Sequence, residues 1–277
     1  MKIITESCAD LSPEVLEKFR ITIVPLSVVI GDHVYRDVIE LNQQQLFALV
    51  AETGELPKTA APTVVEYLQA FAGDEPSICI SLSSPLSASY HNACLAAEML
   101  PEGQVRIIDS LNVSTGLGHL AVRAAELRDA GWQREDIVRD IEQCIPRVWT
   151  SFLLDTLKYL YKGGRCNALQ NILGSVLRIH PVIAIHPDGT LGIHDKPRGA
   201  RQRGLESLQQ EFIENLPRID RHRIFITHTS CPEDAEFLAA EVRRLAGPDE
   251  LYITEAGSVI ASHCGPKTIG ILYVFTQ

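Results

Sequence analysis

The sequence has 277 residues, of which 45% are hydrophobic and 22% are charged, a composition that excludes an intrinsically disordered chain. Its 25 Lys and Arg residues stand against 35 Asp and Glu residues, which gives a formal net charge of −10. This negative charge repels phosphate backbones and anionic lipid surfaces, and it disfavours nucleic acid as a partner.

Targeting signals and metal motifs are not evident in the sequence. Glu6 interrupts the start of the chain where a signal peptide would be apolar, and the longest apolar run, residues 21–30, is too short to cross a bilayer. We therefore expect a cytoplasmic protein that is not a membrane protein. The seven cysteines are odd in number and form no C-x-x-C pair, so we expect reduced thiols. We predict no metal site, because the nine histidines, His180, His186 and His194 included, lack zinc-ligand spacing.

The first half alternates segments that are typical of strands and of helices. Apolar and β-branched runs predict strands at residues 2–5, 21–30, 78–82 and 105–109. Caps and helical spacing predict helices that open at Ser12 and span residues 41–53, 63–71, 84–100 and 114–129. Such alternation indicates an α/β fold with a parallel sheet covered by helices on both faces, and ligands bind outside the carboxyl ends of such strands.

The second half has a different pattern. Helices are predicted at residues 156–161, 169–177, 205–214 and 234–245, and strands at 182–185, 191–193, 223–227, 251–254 and 269–275. The P-D-G turn at residues 187–189 joins two of these strands into a hairpin. We therefore expect a C-terminal α+β domain, 150–277, with a mixed or antiparallel sheet, next to an N-terminal α/β domain, 1–149, and a ligand in the cleft between them.

A dense run of hydroxyl groups, S-L-S-S-P-L-S-A-S-Y, occupies residues 81–90 between a predicted strand and a predicted helix. With Ser84 as the cap, Ser87 falls in the first helical turn, where free N–H groups and the helix dipole favour an anion. The alternative is that these serines only cap the helix. Three common enzyme motifs are absent: the phosphate loop, the dinucleotide fingerprint G-x-G-x-x-G and the nucleophile elbow G-x-S-x-G.

Two further segments carry polar residues in predicted loops. P-K-T-A-A-P-T at residues 57–63 precedes a capped helix, and G-S-V-I-A-S-H-C-G-P at residues 257–266 places His263 ahead of the last strand. Taken alone, the first segment is a surface connection and the second holds a structural histidine.

In their shared order these motifs resemble those of the DegV family, bacterial fatty-acid-binding proteins that serve as the carrier subunit of a fatty-acid kinase. The likeness runs almost from end to end, and D-T-L-K-Y-L followed by G-G-R, within residues 155–165, is its most specific block. The other matching blocks are T-E-S-C-A-D-L at 5–11, V-P-L at 24–26, Y-R-D at 35–37, T-A-A-P at 59–62, S-S-P-L-S-A-S-Y at 83–90, I-D-S at 108–110, H-P-V at 180–182 and S-H-C-G-P at 262–266.

The resemblance implies a carrier without catalysis that buries one long-chain fatty acid, such as palmitate, stearate or oleate, in an apolar tunnel. In the family the carboxylate is held by the threonine of T-S-x-P, the first serine of S-G-T and the histidine of the late loop. These positions correspond to Thr59, Ser87 and His263, with Ser89 as a further candidate. The resemblance also implies that a separate kinase catalytic subunit forms the acyl phosphate, and no other cofactor is expected.

Four positions depart from the family pattern. Ala60 replaces the serine of T-S-x-P, Ala88 replaces the glycine of S-G-T, Cys264 replaces a threonine, and Lys267 stands where glycine is usual. We therefore expect a head-group site that has fewer hydroxyl donors than is typical of the family.

Three arginines are candidates for contact with the kinase or with phosphate. Arg198 and Arg201 lie in K-P-R-G-A-R-Q-R, residues 196–203, which either steers an acidic partner or forms a solvated helix start. Arg165 follows a double glycine and either borders the mouth of the pocket or caps the end of a helix.

Two other functions stay open at this point. One is an acyl hydrolase with Ser87 as nucleophile and His263 as base, for which the sequence offers no evident third member. The other is a phosphotransferase subunit for a small ketone, which rests on similarity of fold alone. Ester turnover abolished by Ser87→Ala would favour the first, and a ligand too small to need a tunnel would favour the second.

Overall fold

The computed structural model describes residues 1–165 and 179–276, so the helix predicted at residues 169–177 lies outside the described part. The strands are β1 (Lys2–Glu6), β2 (Ile21–Val24), β3 (Ser27–Ile30), β4 (His33–Arg36), β5 (Lys58–Ala60), β6 (Ser77–Ser81), β7 (Val105–Asp109), β8 (Val148–Leu153), β9 (Val182–Ile185), β10 (Leu191–Asp195), β11 (Ile219–His228), β12 (Glu250–Glu255) and β13 (Ile269–Phe275). The helices are α1 (Pro13–Phe19), α2 (Gln43–Thr53), α3 (Val64–Phe71), α4 (Ser89–Glu98), α5 (Thr115–Asp129), α6 (Arg134–Cys144), α7 (Lys158–Lys162), α8 (Gln202–Asn215), α9 (Pro232–Ala246) and α10 (Ser258–Cys264).

The N-terminal sheet is parallel, with the strand order β2-β1-β6-β7. Neighbouring residues of a strand face opposite sides of a sheet, and β1 shows both packings. Ile3 packs in the cluster that contains Leu117 of α5, whereas Ile4 packs in the cluster that contains Tyr67 and Phe71 of α3. Helices therefore cover both faces, which confirms the predicted α/β arrangement.

The C-terminal sheet is mixed, as predicted, with the order β10-β9-β8-β13-β11-β12. Strands β11 and β12 run parallel, and the other neighbouring pairs are antiparallel. The predicted hairpin is confirmed as β9 and β10, whose turn is closed by the His186 N–H donating to the Thr190 carbonyl at 2.8 Å. The predicted domain boundary at 149/150 falls inside β8, and the division into two domains stays a prediction.

The helix α5 lies between the two sheets and packs against strands of both. Its apolar face belongs to a core cluster that also contains Ile3 of the parallel sheet and Phe225 and Leu272 of the mixed sheet. None of the described helices is both long and apolar enough to cross a membrane.

The single strand predicted at residues 21–30 is wrong. The segment forms β2 and β3, which belong to different sheets, and the break falls at Pro25-Leu26. Proline has no N–H for a strand ladder, and the Leu26 N–H donates to the Ser7 hydroxyl at 3.1 Å. With β4 and β5, β3 forms a small antiparallel sheet that was not predicted from the sequence.

Three other sequence predictions need correction. The helix expected from Ser84 begins at Ser89, because the preceding residues form a turn in which the Leu86 and Ser87 N–H groups donate to the Ser83 carbonyl. The segment around Thr59 is strand β5 rather than a surface connection, and His263 lies on α10 rather than in a loop. By contrast, the capping box at Thr63 is confirmed in both of its hydrogen bonds.

Candidate ligand-binding site

A pocket is lined by residues that follow β2 and β6, by strands of the mixed sheet and by α10. Its apolar wall consists of side chains from both halves of the sequence, namely Leu26, Ala61, Leu82, Leu86, Val113, Phe152, Leu160, Leu191, Val259, Ile260 and Leu272. Because Leu26 and Leu82 follow strands of the parallel sheet, this position agrees with the expectation that ligands bind beyond the carboxyl ends of the strands.

Thr59 and His263 meet at one polar part of this lining. Pairing of Thr59 with Val28 of β3 fixes the threonine, α10 carries the histidine, and Thr59 Oγ1 lies 2.8 Å from His263 Nε2. The two residues are 204 positions apart in the chain. Only the tertiary fold brings them together.

The hydrogen-bond direction between them follows from the state of the imidazole. Burial, with a smaller contribution from Arg165, lowers the pKa of His263 to about 4, so the ring is neutral near pH 7. His263 Nδ1 is buried without a partner among the described residues, and a buried N–H without an acceptor is costly. We therefore assign the proton to Nε2, which donates to Thr59 and leaves the threonine hydroxyl proton free for a ligand.

Ser87 lines the pocket just ahead of α4. Its Oγ accepts a hydrogen bond from the Ser89 N–H at 3.2 Å and lies 2.8 Å from the Ser89 Oγ. Ser87 therefore precedes the helix instead of lying in its first turn. Its hydroxyl accepts the hydrogen bond of the Ser89 N–H, which had been expected to be free for an anion. Ser89 is fully buried behind Ser87 and is not one of the described residues that line the pocket.

Arg165 both borders the pocket and caps the end of a helix, which were the two alternatives drawn from the sequence. Its Nε donates to the Leu86 carbonyl at 3.2 Å, and its Nη1 donates to the carbonyl of Gly163 at the end of α7 at 2.7 Å. The guanidinium thus links the end of α7 to the segment that carries Ser87.

Arg198 and Arg201 lie outside the described pocket lining. Arg201 is paired with Asp234, with 2.8 Å between Nη2 and Oδ2, and lies 3.6 Å from Asp155. Arg198 is exposed, and its carbonyl accepts a hydrogen bond from Arg203. The two arginines therefore have different surroundings, although they are three positions apart.

Three buried acids behind the pocket wall were missed from the sequence as functional candidates: Glu6, Asp10 and Asp37. Within residues 1–165 and 179–276 none of them forms an ion pair with Lys or Arg. Burial raises the pKa of each carboxyl group, and hydroxyl and backbone donors compensate. The signal that could have found them is their place in two of the quoted blocks, T-E-S-C-A-D-L and Y-R-D.

Glu6 holds the start of the segment that carries the hydroxyl run. It accepts hydrogen bonds from the Ser81 hydroxyl at 2.6 Å, from the Leu82 N–H at 2.8 Å and from the Tyr67 hydroxyl. Leu82 lines the pocket. The carboxylate therefore fixes the end of β6 at the point where the chain enters the pocket wall.

Ser87 and His263, the two residues considered as a nucleophile and its base, are each hydrogen-bonded to a different residue. Ser87 Oγ is bonded to Ser89, and His263 Nε2 is bonded to Thr59, so the described residues form no Ser–His pair of the hydrolase type. A separate group of possible metal ligands, Glu126, His222 and Glu250, already has a cation, because Arg223 donates to both carboxylates.

A family model described as "Uncharacterised protein, DegV family" matches residues 1–276. The chain belongs to the DegV family. A DegV domain-containing protein from Clostridium acetobutylicum is 30% identical over 279 residues, which cover 99% of this chain and 98% of the relative. The predicted family is thereby confirmed.

Solved structures of DegV proteins share the fold over the whole length of the chain. One from Thermus thermophilus, described by its fatty acid binding, is 28% identical, has a TM-score of 0.87 and is matched over 99% of both chains. The Fatty Acid Kinase (Fak) B3 protein of Streptococcus pneumoniae, solved with linoleic acid, is 23% identical with a TM-score of 0.86, over 99% of this chain and 98% of that one. At that identity the second likeness shows the fold alone.

Proposed function

We propose that this DegV protein binds one long-chain fatty acid in the pocket and presents the carboxylate to a separate fatty-acid kinase, with no catalysis of its own. The observation that carries the proposal is that Thr59, Ser87 and His263 belong to the lining of one pocket whose wall is otherwise largely apolar. Fatty acid binding by the Thermus thermophilus relative supports it. Because the lining residues come from both halves of the chain, we place the ligand in the cleft between domains 1–149 and 150–277.

The polar residues suit a carboxylate that must later react. A carboxylate that leaves water needs replacement hydrogen bonds, since its desolvation is otherwise too costly. The Thr59 and Ser87 hydroxyls supply them without a full counter-charge, which leaves the head group able to accept a phosphoryl group. Arg165, which contacts the Leu86 carbonyl at the pocket, is positioned for the added charge of an acyl phosphate.

Most of the affinity comes from the tail in this account. Burial contributes about 0.8 kcal/mol per methylene, so a chain of about sixteen carbons provides on the order of 12 kcal/mol before the costs of binding. Each neutral hydrogen bond of the head group contributes about 1 kcal/mol. The head group therefore sets the orientation of the ligand, and the wall sets its affinity.

The kinase partner is the more distant part of the proposal and rests on the family resemblance. Arg198 is a candidate for steering an acidic partner because it is exposed, as are Lys196 and Arg203 of the same basic stretch. Arg201 is committed to Asp234 of α9, so we assign it to holding α8 and α9 together.

Extraction of lipid from the purified protein tests the binding function. After denaturation we expect mass spectrometry to detect about one long-chain fatty acid per chain. A protein that is empty and also fails to bind added palmitate or oleate would contradict the proposal. For the presenting role, the loaded protein with the kinase subunit and ATP should form acyl phosphate, and the loaded protein with ATP alone should not.

A further inference from the structure

The helix that carries His263 depends on other parts of the molecule for its position. Helix α10 has seven residues, and its N-cap residue is Gly257, which has no side chain to accept a hydrogen bond from the first turn. Helices of this length are not stable in isolation, and the first N–H groups of any helix need acceptors. The place of α10 is therefore fixed by tertiary contacts.

Two carboxylates from distant parts of the chain provide these acceptors. Asp10 accepts a hydrogen bond from the Gly257 N–H at 2.8 Å. Asp37 accepts from the Val259 N–H at 3.2 Å and from the Ser258 hydroxyl at 2.7 Å.

Both acids are themselves fixed in place. Asp10 and Asp37 are 4% and 0% exposed, so each can keep a charge only while its hydrogen bonds are intact. The second oxygen of Asp10 accepts from the Ser114 hydroxyl at 2.5 Å, and that of Asp37 accepts from the Ser7 hydroxyl at 2.6 Å. Through the two acids, the start of α10 is linked to Ser7, which directly follows β1, and to Ser114, which directly precedes α5.

Helix α10 presents several residues to the pocket from one face. Val259, Ile260 and His263 all line the pocket, as expected for residues that share one face of a helix. A rotation or a shift of α10 would move His263 away from Thr59, whose Oγ1 lies 2.8 Å from Nε2. That bond, with Nε2 as the donor, leaves the hydroxyl proton of Thr59 available to the ligand.

We propose that Asp10 and Asp37 are positioning residues, which cap α10 from a distance and thereby set His263 and Thr59 for the head group. The inference rests on the proposed function, because it assigns the two acids a role in recognising the carboxylate. Neither acid is one of the described residues that line the pocket, so both act through α10 rather than by touching the ligand.

The test compares ligands that share a tail and differ at the head. Dissociation constants are measured for octadecanoic acid and for methyl octadecanoate with the wild type, Asp10→Asn and Asp37→Asn. We expect each substitution to weaken binding of the acid about tenfold and that of the ester less than twofold. In a His263→Ala background, Asp37→Asn should no longer change the ratio of the two constants.

A matched control separates positioning from general damage. Glu211 is also a buried acid, 9% exposed, and accepts hydrogen bonds from Trp149 and Ser151 at 2.8 Å each, far along the chain from α10. Glu211→Gln should lower the stability while leaving the acid-to-ester ratio within twofold of wild type. Ser258→Ala, which removes one bond to Asp37 and no charge, should change the ratio in the same direction as Asp37→Asn and by less.

The ligand-free protein provides a readout that does not depend on fatty acid binding. The side-chain NMR signals of His263 should shift in Asp37→Asn and Ser258→Ala and stay in place in Glu211→Gln. Unmoved His263 signals, equal loss of acid and ester, or the same loss in the His263→Ala background would each overturn the inference. A wild type that binds neither ligand, with His263 signals that respond as expected, would instead refute the proposed function alone.

Discussion

The polar end of the proposed site, formed by Thr59, Ser87 and His263, and the apolar wall of the pocket are built in different ways. The polar end depends on a few bonds between single groups, such as the one between Thr59 and His263, and each has a definite direction. The wall combines side chains of many segments, and no single one of them dominates a burial term that grows with area. On the proposed function, the end provides discrimination between head groups and the wall provides most of the affinity.

The largest effect should follow from filling the wall. Leu191 is 8% exposed and lines the pocket, so Leu191→Trp occupies volume that a tail would need. We expect octadecanoic acid and its methyl ester to bind at least about a hundredfold more weakly, measured by calorimetry, since several methylenes lose their burial. Leu95→Trp, on the 38% exposed site of α4, is the control. If Leu191→Trp weakened binding of octadecanoic acid but not of its methyl ester, the wall would not be the source of the affinity.

Changes at the polar end should have smaller effects that depend on the head group. Thr59→Ala combined with Ser87→Ala removes two hydroxyl donors, and we expect the acid to bind about ten- to a hundredfold more weakly while the methyl ester is almost unaffected. The matched variant Thr59→Ser keeps the hydroxyl and should bind almost as the wild type does. If acid affinity and acyl-phosphate formation with the kinase both stayed unchanged in the double variant, the head-group assignment would be wrong.

The basic stretch should influence the partner and leave the pocket alone. Arg198→Glu should slow association with the kinase about tenfold at low salt, with a smaller effect at high salt, because it changes steering between exposed charges. Fatty acid affinity should not change. Arg201→Ala should instead lower the free energy of unfolding, because it leaves Asp234 without its partner. Surface plasmon resonance measures the association rate, and denaturant unfolding measures the stability. Slower association only in Arg201→Ala, with lower stability only in Arg198→Glu, would contradict the assignment.

The last expected effect concerns stability rather than binding, and it is the pH dependence that comes from His263. Its pKa is lowered to about 4 by burial, and the unfolded histidine has a pKa near 6.5, so the unfolded chain binds the extra proton between these values. Stability from this group is therefore present above about pH 6.5 and is lost as the pH falls towards 4. His263→Gln keeps a donor for Thr59 and cannot titrate. Between pH 7 and pH 5, the wild type should lose about 2 kcal/mol more than this variant in urea unfolding.

The elements that depend on local chemistry could be predicted from the sequence. The capping box at Thr63 and the hairpin turn before Leu191 involve residues a few positions apart, and both are present. The helix start at Ser84 was wrong although Ser-Pro is a typical start, because a turn closed on the Ser83 carbonyl uses the same residues. Local patterns cannot decide between two local structures when a distant group, here Glu6 bonded to Leu82, fixes the end of the strand.

The site was predictable to a different extent at its two ends. Thr59, Ser87 and His263 could be named from blocks that resemble a family, but their distances could not. The wall and the acids Asp10 and Asp37 could not be placed, because no periodicity links residues that meet only through the packing of two sheets. Strand β5 was missed for the same reason, since three residues carry too little pattern and its partner β3 lies far upstream.

The central claim is that the polar end and the apolar wall are two ends of one binding site. NMR of bound palmitate, labelled with carbon-13 at the carboxyl carbon and at the terminal methyl, tests it directly. We predict contacts between the terminal methyl and wall side chains such as Val259 and Leu272, together with a carboxyl signal that shifts in Thr59→Ala and Ser87→Ala. A terminal methyl with solvent-like relaxation, or a carboxyl signal that ignores both substitutions, would contradict the account.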